Sequence, residues 1–238
     1  EPMLKRVLDR CRLVKECSAV VLCTDSKEIK NLADNWGVKV LLTSRKCTSG
    51  TERISSVIND LISIAWGVKY KKNDIIDHDI LQKTVVINVQ ADQPFVSPQL
   101  ISDIYKGFKN YNLRKDILTP IYLLKDKDIH DPNLVKVVIA ANGDALYFSR
   151  SAIPYIRGEP PSTWSRYSKY FGHIGIYGFR ANVLACWNEI PSSRLEELER
   201  LEQLRFLEAG IGIKTFLANE KVSSIDTYSD LRDVVSKM

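Results

Sequence analysis

The chain has 238 residues, 45% hydrophobic and 26% charged, which is the composition of an ordinary soluble globular protein large enough for a substantial core. No apolar stretch approaches the ~20 residues of a membrane-spanning helix, which excludes an integral membrane protein of that kind. The net charge of +5 comes from scattered basic residues, and by itself fits an anionic small ligand or nucleic acid.

A helical pattern (Met3, Leu4, Val7, Leu8, Cys11) begins almost at once, with no initiator methionine, signal peptide or preceding strand. An α/β domain normally opens on a strand, so a first βα unit is expected to be missing. Five cysteines (Cys11, Cys17, Cys23, Cys47, Cys186) are odd in number and form no CxxC pair. That points to a reduced, cytoplasmic protein without a zinc knuckle. Residues 19–25 read as a strand, 26–36 as a helix, 38–43 as a strand and 50–65 as a helix. The stretch 69–83, rich in Lys and Asp, reads as a solvated connector.

The run Thr84-Val-Val-Ile-Asn-Val-Gln-Ala-Asp92-Gln-Pro94 carries the most information. Val85, Val86, Ile87 and Val89 make a buried strand, which should stop near Gln90 because Pro94 cannot sit in a sheet centre. Gln90 and Asp92 then lie at the carboxyl end of a parallel strand, where open α/β sheets bind ligands. A carboxylate there suits Mg²⁺, which takes one or two carboxylates plus substrate phosphates. An Asp that only turns the chain before Pro94 is the equal alternative.

A helix over 98–111 and a strand over 117–123 continue the alternation, which implies a mostly parallel sheet. After residue 130 the texture changes. Strands at 134–140 and 144–149 pair through a turn at Asn142-Gly143. A loop without period covers 158–170, and a further strand covers 172–179. In 193–209, Leu195, Leu198, Leu201, Leu204 and Leu207 make one helix face, stopped by Gly210. A strand at 213–217 leads to a closing helix after Asp226. No internal repeat is evident.

Seven local sequences occur together and in order: Thr48-Ser-Gly-Thr-Glu-Arg53, Asn88-Val-Gln-Ala-Asp-Gln-Pro94, Asp131-Pro-Asn-Leu-Val-Lys-Val-Val138, Ala145-Leu-Tyr-Phe-Ser-Arg150, His173-Ile-Gly-Ile-Tyr177, Leu201-Glu-Gln-Leu-Arg205 and Ile225-Asp-Thr227. In these the chain closely resembles the 3-deoxy-manno-octulosonate cytidylyltransferases, or CMP-Kdo synthetases, along its whole length. The resemblance implies an α/β, Rossmann-like GT-A nucleotidyltransferase fold with a mostly parallel central sheet and a small antiparallel subdomain. A single domain over 1–238 would divide into a nucleotide-binding core (1–128 and 210–238) and a sugar-binding and dimerisation subdomain (129–209).

It further implies a cytoplasmic homodimer that makes CMP-Kdo and pyrophosphate from CTP and an acidic eight-carbon sugar, for lipopolysaccharide-type glycans, with Mg²⁺ as cofactor. Neither nucleic acid nor membrane would be a partner. Carried onto this chain, Asp92 and Asp226 become the metal carboxylates; Asp226 read alone would more simply cap a helix. Ser49 and Arg53 become nucleotide contacts, and Gln90 lies where nucleotide and sugar meet. Alone, Ser49 would be a cap and Arg53 a solvated helix charge. Arg150, His173, Tyr177, Glu202 and Gln203 match the sugar site, with Arg150 able to pair bidentately with the sugar carboxylate. Without the resemblance, His173 reads as a strand histidine and Glu202 and Gln203 as a solvated helix face.

The chain also departs from the family pattern. A Gly- and Arg-containing signature that normally precedes the Glu1-Pro-Met3 region is not present. Gln93 replaces a usual Glu, Ala91 a usual Gly, and Cys47 and Thr48 stand where His or another polar residue is common. Rival readings are a cytidylyltransferase for an amino-substituted Kdo or a sialic acid, and a non-catalytic homologue that binds sugar or nucleotide. The sialic-acid branch is disfavoured because its Gln-Pro-Thr-Ser-Pro stretch does not follow Asn88.

Overall fold

A computed structural model gives the fold and describes residues 1–71, 74–110, 115–219, 225 and 232. The opening pattern forms α1 (Met3–Arg12), which buries Val7 and Leu8. A βαβ unit follows: β1 (Val21–Thr24) and β2 (Lys39–Leu42) pair in parallel around α2 (Lys27–Asn35). The Ser26 side chain accepts from Ile29 N and starts α2 in the usual N-cap manner.

The helix expected over 50–65 is two helices, α3 (Gly50–Ser55) and α4 (Ile58–Trp66). Ser56 Oγ donates back to Arg53 O at 2.7 Å, a local bond of the kind that competes with helix continuation. The break lets Ser55 Oγ donate to Leu184 O while Ile58 and Ile62 enter the core. The connector expected over 69–83 ends in a helix, α5 (His78–Lys83), capped by Asp77. Periodicity was too short there to reveal it.

The larger sheet contains β3 (Val85–Asn88), β4 (Ile117–Leu123), β5 (Lys136–Ile139), β6 (Ala145–Ser149), β7 (Phe171–His173), β8 (Tyr177–Arg180) and β9 (Ile213–Leu217). Its order is β3-β8-β4-β7-β5-β6, with β9 paired to β4. The expectation of a mostly parallel sheet does not hold among the described residues. Only β1/β2 and β4/β9 pair in parallel, and β3/β8, β4/β8, β4/β7, β5/β7 and β5/β6 are antiparallel. The cause is the glycine-rich stretch 172–179, expected as one strand. It breaks at Ile174-Gly175-Ile176, and β8 inserts between β3 and β4. Gly178 makes that insertion feasible, since a Cβ there would lie 2.5 Å from Ile104 and 2.6 Å from Phe108 of α6 (Pro98–Asn110). The expected hairpin through Asn142-Gly143 forms, with Gly143 at φ 82°. It joins the same sheet through β7.

After α7 (Ala181–Ala185), the helix expected over 193–209 divides into α8 (Arg194–Glu199) and α9 (Gln203–Glu208). Ser193 Oγ donates to Glu208, closing the pair end to end. A straight helix would hold those two residues roughly 22 Å apart. Gly210, at φ 76°, terminates α9 as expected. The closing helix expected after Asp226 lies outside the described residues.

Between β1 and β3 is an apolar cavity of about 710 Å³. Consecutive residues of both strands line it, so it faces their edges rather than their flat sides. Leu4, Val7 and Leu8 of α1 wall one side, and Leu61, Ala65 and Trp66 of α4 another.

Candidate functional site

β3 ends in a tight turn, with Gln93 N donating to Gln90 O and Val96 N to Gln93 O. This turn presents Gln90, Asp92 and Gln93 to a pocket of about 240 Å³. Its remaining polar wall comes from Tyr122 on β4, from Asn133 before β5, from His173 and Tyr177 beside the β7–β8 break, and from Arg200, Glu202 and Gln203 at the α8–α9 junction. Two of the three breaks that sequence periodicity missed, β7–β8 and α8–α9, thus open onto one cavity. The backbone O of Asp92 accepts from Ile225 N at 2.9 Å, while Asp226 itself lies outside the described residues.

His173 is held by its surroundings. Its Nε2 lies 2.9 Å from Thr119 Oγ1, and that hydroxyl also reaches Ile176 O at 2.9 Å. A carbonyl can only accept, so the Thr119 proton points to Ile176 O and His173 Nε2 donates to Thr119. That leaves His173 Nδ1 as a bare acceptor. Phe148 packs edge-on at 5.0 Å between ring centroids, and Tyr177 lies tilted at 5.2 Å. Burial pushes the His173 pKa down to about 3, so the ring is neutral near pH 7. Burial first, and the Glu202 carboxylate second, hold the Tyr177 hydroxyl protonated well above its ordinary value.

Glu202 Oε1 accepts from Thr51 Oγ1 at 2.8 Å, and Oε2 from Thr51 N at 3.4 Å. The start of α3 is therefore tied to the pocket. Gln93 and Gln203 are almost wholly buried, yet Gln93 Oε1 and Gln203 Nε2 have no hydrogen-bond partner among the described residues. An acceptor and a donor of this kind are the groups a polar ligand would satisfy.

The other expected site residues lie elsewhere. Ser49 caps α3, its side chain accepting from Glu52 N at 3.1 Å. Arg53 donates to Thr43 Oγ1 at 2.5 Å and pairs with Asp25 at 3.4 Å. Neither lines the polar pocket, and Arg53 lines the larger apolar cavity. Gln90 lines both. Arg150 is not in the pocket wall. Its Nε donates to Glu199 O at 2.8 Å and its Nη1 to Pro132 O at 3.2 Å, while its backbone carbonyl accepts from the buried Lys136 ammonium. Tyr122, Thr51, Thr119 and Arg200 were not expected. Tyr122 and Thr119 sit in a plain strand pattern, and only Thr51, inside the Gly50-Thr-Glu-Arg53 motif, carried a signal.

Among the described residues no cluster of three or more His, Cys, Asp or Glu side chains could hold a metal. One pocket carboxylate beside amide oxygens nevertheless fits Mg²⁺, which draws most of its ligands from water and phosphate. No helix among these residues is long and apolar enough to cross a membrane.

Residues 1–216 match the family described as cytidylyltransferase. The chain is 39% identical over 236 residues to a 3-deoxy-manno-octulosonate cytidylyltransferase of Chloroherpeton thalassium, spanning 98% of this chain and 86% of that one. An 8-amino-3,8-dideoxy-manno-octulosonate cytidylyltransferase of Shewanella pealeana is 35% identical over 233 residues, with 98% and 86% covered. Among solved structures, CMP:2-keto-3-deoxy-manno-octonic acid synthetase complexed with CTP is similar at TM-score 0.80 and 29% identity, over 100% of this chain and 87% of that one.

Proposed function

We propose, from the premise that the chain belongs to the cytidylyltransferase family, that it activates 3-deoxy-manno-octulosonate with CTP, giving CMP-Kdo and pyrophosphate. The observation that carries this reading is the convergence of Gln90, Asp92, His173, Tyr177, Glu202 and Gln203 on one polar pocket. Acceptors at Glu202 and His173 Nδ1, and donors at Gln203 and Tyr177, suit the hydroxyls of a sugar, which a pocket discriminates by donor–acceptor pairing. In the reaction a sugar oxygen bonds to the α-phosphorus while the bond to the leaving pyrophosphate breaks. Such a transfer asks the protein chiefly for positioning and charge stabilisation.

Asp92, with Asp226, would hold Mg²⁺, which when bound shields phosphate charge during transfer. Gln93 keeps the neighbouring position neutral, so the carboxylate charge there comes from the aspartates alone. Ser49 and Arg53 belong to the nucleotide side, consistent with their place around α3. The enzyme would work in the cytoplasm as a homodimer, its nucleotide core at 1–128 and 210–238 and its sugar-binding part at 129–209.

The 8-amino sugar is a second reading, favoured by the likeness to the Shewanella pealeana protein. Pyrophosphate release with CTP, Mg²⁺ and a panel of ulosonic acids tests both. Turnover with the 8-hydroxy sugar is expected to exceed that with the 8-amino sugar. Release with neither would refute the function.

A further inference from the structure

Arg200 is the only lysine or arginine lining the polar pocket among the described residues. His173 is neutral there and the acidic groups are Asp92 and Glu202, so without Arg200 the wall would repel an anion. Arg150, the cation expected from sequence, has its Nε and Nη1 directed to the backbone oxygens of Glu199 and Pro132. The Arg200 side chain makes no hydrogen bond or ion pair with a described residue, although most neighbouring charges do.

Its backbone is equally telling. Arg200 caps α8 at φ 55° and ψ 47°, and it is the only non-glycine residue with positive φ among those described. Glycine or asparagine would ordinarily occupy such a position. A side chain with a Cβ is strained there, and strain held at a pocket wall points to use. The left-handed turn that breaks the helix is also what sets Arg200 beside Glu202 and Gln203 on the pocket wall.

Resting on the function proposed above, we propose that Arg200 binds the carboxylate of the acid sugar and so determines that the pocket takes an ulosonate. A guanidinium suits a carboxylate through paired N–H donors. The α- to γ-phosphates of CTP are the other anions at hand, and the experiment separates the two.

Steady-state kinetics on the full chain, with pyrophosphate as readout, would compare wild type with Arg200→Gly, Arg200→Gln and Arg200→Lys. Arg200→Gly and Arg200→Gln are expected to raise the KM for the ulosonate roughly tenfold to a hundredfold, with the KM for CTP changed less than about threefold. Arg200→Lys should recover part of the loss. Arg200→Gly relieves the backbone, so its melting temperature should match or exceed wild type, which separates a binding defect from a folding one. An unchanged ulosonate KM in Arg200→Gly, with wild type active, overturns this assignment alone. A rise confined to CTP gives Arg200 to the phosphates and overturns it equally. If wild type neither turns over nor, by titration calorimetry, binds any ulosonate, the functional reading itself falls and takes this assignment with it.

Discussion

Asp92 and His173 show how differently single residues of one pocket act. If Asp92 holds Mg²⁺, Asp92→Asn should lower turnover on the order of a hundredfold or more and abolish the Mg²⁺ dependence of CTP binding in calorimetry, with the melting curve unchanged. Wild-type activity in that variant, or activity indifferent to EDTA, would remove the metal role. For His173 the linkage runs toward acid. Its folded pKa of about 3 lies below the ordinary 6.5, so the unfolded chain takes the proton first as pH falls. The stabilisation is complete above about 6.5 and is lost on the way to about 3. Thermal melts across that window should therefore fall more steeply for wild type than for His173→Gln. Parallel slopes would mean that the ring is not held neutral. The sequence marked most of this site through motif identity, because Gln90, Asp92, His173, Tyr177, Glu202 and Gln203 do meet. Arg150 lies outside the pocket wall, with Nε and Nη1 turned to the backbone oxygens of Glu199 and Pro132; a matching residue type does not reveal which way a guanidinium turns.

At the level of elements, strands and turns were more legible than helix breaks. The strands at 117–123 and 213–217 and the hairpin at Asn142-Gly143 form where period and turn chemistry place them. The leucine face over 193–209 concealed a reversal, and its trace is burial: Leu198 is 70% exposed while Leu201 and Leu204 are 6% and 0%. Five leucines at helical spacing fit one straight helix and two short ones equally, and the Ser193–Glu208 contact with the left-handed turn at Arg200 decides between them. Strand direction was hidden for a similar reason, since periodicity is the same in parallel and antiparallel pairs. Gly178 gives the element-scale test. Gly178→Ala should drive a methyl into Ile104 and Phe108 and destabilise by about 1–3 kcal/mol in urea denaturation. A neutral result would show that α6 can shift away from β8.

For the whole molecule, two sheets meet across the cavity between β1 and β3 instead of through hydrogen bonds. Amides on those facing edges should exchange with deuterium much faster than those of β4, which is paired along both edges. Protection at Val21–Thr24 equal to that at Ile117–Leu123 would show that the edges are closed in solution. The Glu202–Thr51 bridge links distant parts of the chain in another way, joining residues 151 apart in sequence. One carboxylate faces the proposed sugar while gripping α3, the helix proposed above for the nucleotide side, so occupancy on one side would bias the other. Linkage makes that influence reciprocal: the factor by which the acid sugar tightens CTP must equal the factor by which CTP tightens the sugar. Thr51→Val removes the hydroxyl arm, and both factors, measured by calorimetric titration with and without the second ligand, should shrink together toward unity. A variant that keeps the wild-type factor would show that the two ligands communicate by another route, such as direct contact with each other.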